Sequence, residues 1–286
     1  MEKIFIHGAS SWLGKATFNY LISKNYLSDR FILTSNKFTQ IFYLDKKYKL
    51  IKSSEVINIK NEEIDILYMY SFPTHQIHNE ELLIRDFSKL MSDFEELISQ
   101  NKIKKIFLAS SGSVYDNNIK GYKLYSKYKK IQEEIVLSYS DKYQIEIQIC
   151  RIFGVIAPFY DLSSKYAFTT FINSAINNGY IDVRNPNIKR SYVNFNDIVN
   201  LSLQKLEVEV YDAVTSNITI ISLANLVGEF YNVEVIINQE NPKTASDYLS
   251  QSKFVKNYYN DRNLDINFNT ISDVINITGT NEMKLS

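Results

Sequence analysis

IHGASSWLG (residues 6–14) carries two of the chain's eight glycines in 286 residues, one on either side of Ala-Ser-Ser-Trp-Leu. The apolar, strand-like KIFIH (3–7) precedes it. GKATFNYLISKN (14–25) follows, with helical spacing at Ala16, Tyr20 and Leu21. A glycine turn between a first strand and a first helix is a place for a pyrophosphate, because the helix N-terminus offers unpaired N–H groups to an anion. Gly8 permits the tight turn, and Gly14 lets the helix pack close to the strand. A third glycine is usual between them. Here that position is Ser11, whose hydroxyl can donate to a phosphate.

Dinucleotide sites carry an acid about 20 residues past the last glycine, to hold the adenine ribose. That count lands on Thr34, and no carboxylate occurs between Arg30 and Asp45. Ser35, Asn36 and Lys37 follow instead. Hydroxyl, amide and ammonium groups suit a 2′-phosphate better than a 2′-hydroxyl, so the pattern points to NADP, with NAD as the alternative.

Outward from the turn, strands and helices alternate. RFILTS (30–35), IDILYMYSF (64–72), KKIFLAS (104–110) and YQIEIQICRIF (143–153) read as strands. Residues 79–101 form an amphipathic helix with Leu83, Phe87, Leu90 and Phe94 at spacings of three and four, and a lysine-rich helix covers 122–140. This alternation predicts an α/β fold: a doubly wound parallel sheet of Rossmann type in residues 1–155. A smaller α+β lobe is expected at 156–286. Its elements are helices at 166–177, 195–206 and 222–231 and a strand at 180–184, and segments such as 190–206 are free to return to the first lobe.

Lysine plus arginine balance aspartate plus glutamate at 32 each, so no nucleic-acid partner is implied. The basic runs KIKK (102–105) and DKKYK (45–49) read as solvated faces. One cysteine, Cys150, excludes an intrachain disulfide and reads as core. With three histidines, His7, His75 and His78, no metal site is expected; His7 reads as a hydrogen-bonded strand residue and the other two as loop. No stretch reaches the ~18 apolar residues of a membrane span, and no secretory leader is apparent, so the expected compartment is the cytoplasm.

A second constellation follows. LASSGSVYD (108–116) ends a strand, and YSKYK (125–129) lies on the next helix, where Tyr125 and Lys129 share a face. A neighbouring ammonium favours phenolate, and such a tyrosine moves a proton to or from a hydroxyl or carbonyl oxygen. A strand-end serine can hydrogen-bond the same oxygen. Spacing alone decides little, since Tyr20/Lys24, Tyr43/Lys47 and Tyr48/Lys52 repeat it.

GASSWLG (8–14), SSGSVY (110–115), YSKYK (125–129), CRIFGVIAP (150–158) and RSYVNFNDIV (190–199), in this order, resemble the extended short-chain dehydrogenase/reductases, the NAD-dependent epimerase/dehydratase family of nucleotide-sugar enzymes. ISLANLV (221–227) resembles the family's late helix start. The resemblance implies that Ser111 binds the reacting sugar oxygen, that Tyr125 is the general acid/base, and that Lys129 holds the nicotinamide ribose and lowers the tyrosine pKa. It implies that Gly8, Ser11, Trp12, Leu13 and Gly14 line the pyrophosphate turn, and that Arg190 grips the substrate diphosphate. It also implies a homodimer built through the helices at 79–101 and 122–140.

The chain departs from the family pattern at Ser11, at Gly154 in place of a substrate-binding asparagine, at Asp116 in place of glycine, and in a short loop between Ser111 and Tyr125. Family dehydratases carry an acidic pair where this chain has Gly112 and Ser113, which argues against dehydration. Two redox expectations remain: NADPH-dependent reduction of a 4-keto-6-deoxy nucleotide sugar for surface polysaccharide, and 4-epimerisation with tightly held NAD. A non-catalytic cofactor-binding relative is the third.

Overall fold

The computed structural model describes residues 3–115, 123–238, 246–260, 264–280 and 283–286. Asp116 and the loop 116–122 lie outside these. The chain forms two compact units. The first comprises 1–151, 199–211 and 283–286; the second comprises 152–198 and 212–282. Residues 199–211 thus return to the first unit. They return because the strand Val210–Ala213 adds to the sheet edge beside Glu146–Ile152, where Ile149 N–H donates to Glu209 O at 2.6 Å.

The first unit is built on a seven-stranded sheet in the order 210–213, 146–152, 102–111, 63–69, 4–7, 31–35, 51–52. The pairings 4–7 with 31–35, 4–7 with 63–69, 31–35 with 51–52, and 63–69 with 102–111 are all parallel. Strand order reverses between 4–7 and 63–69, and such sheets bind ligands at the carboxyl ends of strands at that reversal. Ile4, Phe5, Ile6 and His7 are all buried, as both faces of a covered parallel sheet require.

Three helices matter for the site: α1 (Trp12–Ser23), α2 (Glu80–Gln100) and α3 (Lys123–Tyr143). In α2 the Asn79 side chain caps by accepting from Leu82 N–H at 3.1 Å, and Glu80 and Glu81 complement the helix dipole. Its buried stripe is Leu83, Phe87, Met91, Phe94, Leu97 and Ile98; Leu90 is half-buried against the same core. In α3 the inner face is unusual. Alongside Tyr128, Val136 and Tyr139 it buries Ser126, Lys129, Gln132 and Glu133. Buried polar side chains at this density need partners, and Lys129, Gln132 and Glu133 find them in one another, the strand end at Ala109–Ser110, and Arg151.

Lys105 of the KIKK run is not solvated. Strand geometry turns it inward, 6% exposed, where its Nζ meets Glu146 at 2.9 Å and Gln204 O. In 45–49 the lysines are exposed, but Tyr48 is buried on the Lys46–Lys49 strand. That strand pairs with Gln40–Tyr43, which also takes Lys284–Leu285.

In the second unit, strands 155–156, 189–194 and 216–219 form one small sheet, and 180–183 pairs with 234–237. Helices Ala167–Asn178, Ile220–Tyr231 and Phe268–Thr280 enclose a core that includes Phe168, Ile172, Leu223, Val227 and Ile271. No helix among the described residues is long and apolar enough to cross a membrane.

Candidate active site

The glycine turn leaves the strand Ile4–His7 and enters α1. Gly8 adopts φ +89°, a left-handed value suited to glycine. A Cβ on Gly14 would stand 2.2 Å from Gly8 O and 2.8 Å from Ala9 Cα, so the helix touches the strand end backbone to backbone. Ser11 is the helix N-cap, and its Oγ accepts from Gly14 N–H at 3.1 Å. This explains the serine at the middle position: it satisfies one orphan helix donor and keeps its own hydroxyl proton for another acceptor. Tight turn, close helix approach and capped N-terminus together fit a dinucleotide pyrophosphate.

The neighbouring strand end, Phe31–Ser35, is tied to this turn. Gly8 N–H donates to Thr34 Oγ1 at 3.2 Å, Ala9 N–H donates to Thr34 O at 2.9 Å, and the Ser10 and Ser35 hydroxyls meet at 2.8 Å. Ser35 is buried, and its Oγ also accepts from the N–H groups of Lys37 and Phe38. Ser35 therefore braces the turn, whereas Asn36 and Lys37 are exposed. Thr34, on which the acid count lands, has a structural part in the turn that becomes legible only once the two strands are paired.

His7 is buried, with Nδ1 2.7 Å from Ser71 Oγ. Burial lowers it to about 3, so it is neutral at ordinary pH.

The candidate residues Ser111, Tyr125 and Lys129 lie at the carboxyl end of strand Lys102–Ser111 and on the first turns of α3. Ser111 closes its strand, and its Oγ accepts from Ser113 N–H at 3.2 Å across the tight turn Gly112–Tyr115. Lys129 is 4% exposed; its Nζ donates to Ala109 O at 2.9 Å and to Gln132 Oε1 at 3.0 Å. It also lies 4.7 Å from the centre of the Phe72 ring, and Tyr125 packs edge-on against that ring at 5.2 Å. Burial pulls the Lys129 ammonium down to about 7, and the Glu133 carboxylate opposes the shift.

Phe72 is not singled out by the sequence. It sits just past the strand Glu63–Met69 at the reversal point, and no motif marks it. Glu133 is likewise hidden. It is buried at 3%, accepts from Ser110 Oγ at 2.5 Å, and pairs with Arg151 at 2.6 Å. Arg151 in turn donates to the Tyr115 hydroxyl at 2.6 Å. The hydroxyls of Ser113 and Ser126 are buried with no hydrogen-bond partner among the described residues.

The first unit thus holds Gly8, Ser11, Trp12, Leu13, Gly14, Ser35, Asn36, Lys37, Ser111, Tyr125 and Lys129, while Arg190 belongs to the second. There Arg190 lies on strand Lys189–Asn194, and its guanidinium donates to the carbonyls of Lys189 and Ser246. A Cβ on Gly154 would stand 2.7 Å from Ser191 O and 2.8 Å from the Tyr192 ring. Any larger side chain there, asparagine included, requires those neighbours to move.

The sequence profile described as the NAD dependent epimerase/dehydratase family matches residues 4–233. No curated protein matches the sequence. Among solved structures, UDP-N-acetylglucosamine 4-epimerase from Bacillus cereus is 17% identical, with a TM-score of 0.74 over 98% of this chain and 97% of the other. RMD from Pseudomonas aeruginosa complexed with NADPH is 14% identical, with a TM-score of 0.72 over 96% and 97%. UDP-glucose 4-epimerase from Thermus thermophilus, in complex with NAD, is 12% identical, with a TM-score of 0.71 over 97% and 99%. At these identities the likeness is one of fold.

Proposed function

The chain belongs to the NAD dependent epimerase/dehydratase family of enzymes, and from that premise we propose that it reduces a 4-keto-6-deoxy nucleoside-diphosphate sugar with NADPH, for surface polysaccharide synthesis. The observation that carries this reading is the end of strand Phe31–Ser35. No carboxylate occurs in the sequence between Arg30 and Asp45 to receive a ribose 2′-hydroxyl, and the exposed Asn36 and Lys37 offer an amide and an ammonium suited to a 2′-phosphate.

The glycine turn and the N-terminus of α1 would hold the pyrophosphate, with Trp12 and Leu13 beside it. When bound, the cofactor supplies hydride to the carbonyl carbon. The protein's residues manage the oxygen. Ser111 donates a hydrogen bond to the keto oxygen, and Tyr125 gives it a proton, so the carbonyl becomes a hydroxyl and the tyrosine a phenolate. Lys129 would hold the nicotinamide ribose, and in its charged form it would stabilise that phenolate. Arg190, planar and always charged, is the proposed grip on the diphosphate. Gly112 and Ser113 supply no acid for dehydration. We also expect a cytoplasmic homodimer formed through α2 and α3.

The first test is cofactor content. Freshly purified protein is denatured, any released nicotinamide nucleotide is identified, and untreated protein is titrated with NADPH and NADH. An empty protein that prefers NADPH supports the reductase, and a panel of 4-keto nucleotide sugars follows. NAD retained near one per chain replaces this reading with a 4-epimerase. Turnover that survives Tyr125→Phe overturns the proton-transfer role.

A further inference from the structure

We propose that Glu133 is a positioning residue of the reactive set: with Arg151 it clamps the strand end bearing Ser111 and the turn after it onto the face of α3 that bears Tyr125 and Lys129. The inference rests on the reading of those three residues as reactive, and it adds a residue that no motif supplied.

The geometry is specific. Tyr125, Lys129 and Glu133 follow one another at intervals of four on α3, so they stack on one face over two turns. Two consecutive residues of the strand are stitched to that face. Ala109 O accepts from Lys129 Nζ at 2.9 Å, and Ser110 Oγ donates to Glu133 Oε1 at 2.5 Å. Ser111 is the next residue. The same carboxylate holds Arg151, whose Nε donates to Oε1 at 3.0 Å and whose Nη2 donates to Oε2 at 2.6 Å. Arg151 then reaches the Tyr115 hydroxyl at 2.6 Å and lies 4.8 Å from the Tyr115 ring centre. One buried carboxylate therefore joins α3, the strands Lys102–Ser111 and Glu146–Ile152, and the turn Gly112–Tyr115. Positional error of even 1 Å among reactive groups costs rate steeply.

Glu133 also acts on Lys129 through its charge. The groups against that ammonium are Gln132 on its own helix, the Ala109 carbonyl from the strand, and the Phe72 ring from the switch-point loop, which Tyr125 also touches. Arg151, a cation, stands just beyond Glu133. Glu133 is thus the anion that offsets the burial of Lys129. Its removal leaves Arg151 uncompensated, and both changes lower the affinity of Lys129 for its proton.

The test follows lysine side-chain carbon resonances against pH in the full-length protein, with the Lys129 signal assigned from its absence in Lys129→Gln. This measurement uses neither substrate nor cofactor. In Glu133→Gln the Lys129 midpoint falls by at least about half a pH unit, roughly threefold in proton affinity, and in Glu133→Asp it returns toward the wild-type value. An unmoved midpoint in a folded Glu133→Gln overturns the electrostatic part.

Ser110→Ala cuts the strand tether while leaving the ion pair in place. It is expected to lower kcat roughly tenfold with an unchanged Lys129 midpoint and an unchanged KM for the sugar. Full wild-type kcat in both Ser110→Ala and Glu133→Asp overturns the clamp, and it also decides the matter should Glu133→Gln fail to fold. If the wild-type protein reduces no keto sugar, the functional reading fails on its own, while the resonance titration still reports the hold of Glu133 on Lys129.

Discussion

Gly14→Ala puts the most rigid contact of the cofactor turn to the test. The added carbon would stand 2.2 Å from Gly8 O, 2.8 Å from Ala9 Cα and 3.0 Å from Ala9 C, and all three atoms are backbone. An ordinary carbon–oxygen contact needs about 1 Å more than the shortest of these, so α1 must lift from the strand end by about that amount. Overpacking of this kind costs about 1–3 kcal/mol. Alanine returns up to about 1 kcal/mol in helix propensity. The expected net loss is up to about 3 kcal/mol, or up to roughly 5 °C in Tm. The larger effect is expected on the cofactor, because the displaced helix start carries the N–H groups proposed to hold the pyrophosphate. NADPH affinity is expected to fall at least about tenfold, about 1.4 kcal/mol. Thermal unfolding and an NADPH fluorescence titration measure the two effects. Gly279→Ala is the control, since nothing lies within 4 Å of a Cβ there and the residue is helical; it should leave both quantities unchanged or raise Tm slightly. Wild-type NADPH affinity in a stable Gly14→Ala protein would refute the argument that close helix approach builds this site.

Lys37→Ala should weaken NADPH roughly tenfold and leave NADH unchanged, because only the 2′-phosphate distinguishes them; equal weakening of both in parallel titrations would remove Lys37 from cofactor selection. Ser126→Ala deletes a buried hydroxyl with no hydrogen-bond partner among the described residues and substitutes a better helix former, so it should raise stability by about 1 kcal/mol in urea unfolding; a loss of stability would mean that the hydroxyl has a partner. His7 is held near 3 in the folded chain and returns to about 6.5 when unfolded, so the unfolded state takes up a proton first as pH falls. Stability is therefore lost from about pH 6.5 downward, by about 2 kcal/mol at pH 5 from this group alone; His7→Gln should flatten that part of the pH–stability curve, and an equally steep fall in the variant would show that other groups cause it.

The strands that carry the site were legible because both faces of the sheet are covered. KIFIH, RFILTS, IDILYMYSF and KKIFLAS are near-continuous apolar runs, and each forms a strand at or near its expected place. The long helices were legible from their spacing of three and four. The short strands at 40–43, 46–49, 51–52 and 234–237 were not anticipated, while 210–213 and 216–219 fall where two shorter elements were expected between the helices at 195–206 and 222–231. Their runs of two to four residues are too brief for periodicity to speak, and no local turn signal names their pairing partners. The return of 199–211 to the first unit is of the same kind, since it depends on an open sheet edge that no local pattern announces.

Within the site, sequence spacing offered four equivalent Tyr-x-x-x-Lys pairs, and desolvation separates them. Lys24 is exposed and lies 5.4 Å from the ring of its own Tyr20. Lys47 is exposed on the 46–49 strand, and Lys52 is exposed on the short strand after it. Lys129 alone among the four is buried, with a carbonyl, an amide oxygen and an aromatic face around it. Burying an ammonium costs several kcal/mol unless other groups compensate, so a chain that buries one must supply them. Here they come from Ala109, Gln132, Phe72 and the Glu133 carboxylate, which lie on the helix, the strand end and the switch-point loop. A motif two residues wide cannot encode that shell. The density of buried polar positions on the inner face of α3 is the signal that marks it, and that signal appears only when the helix is seen against the sheet.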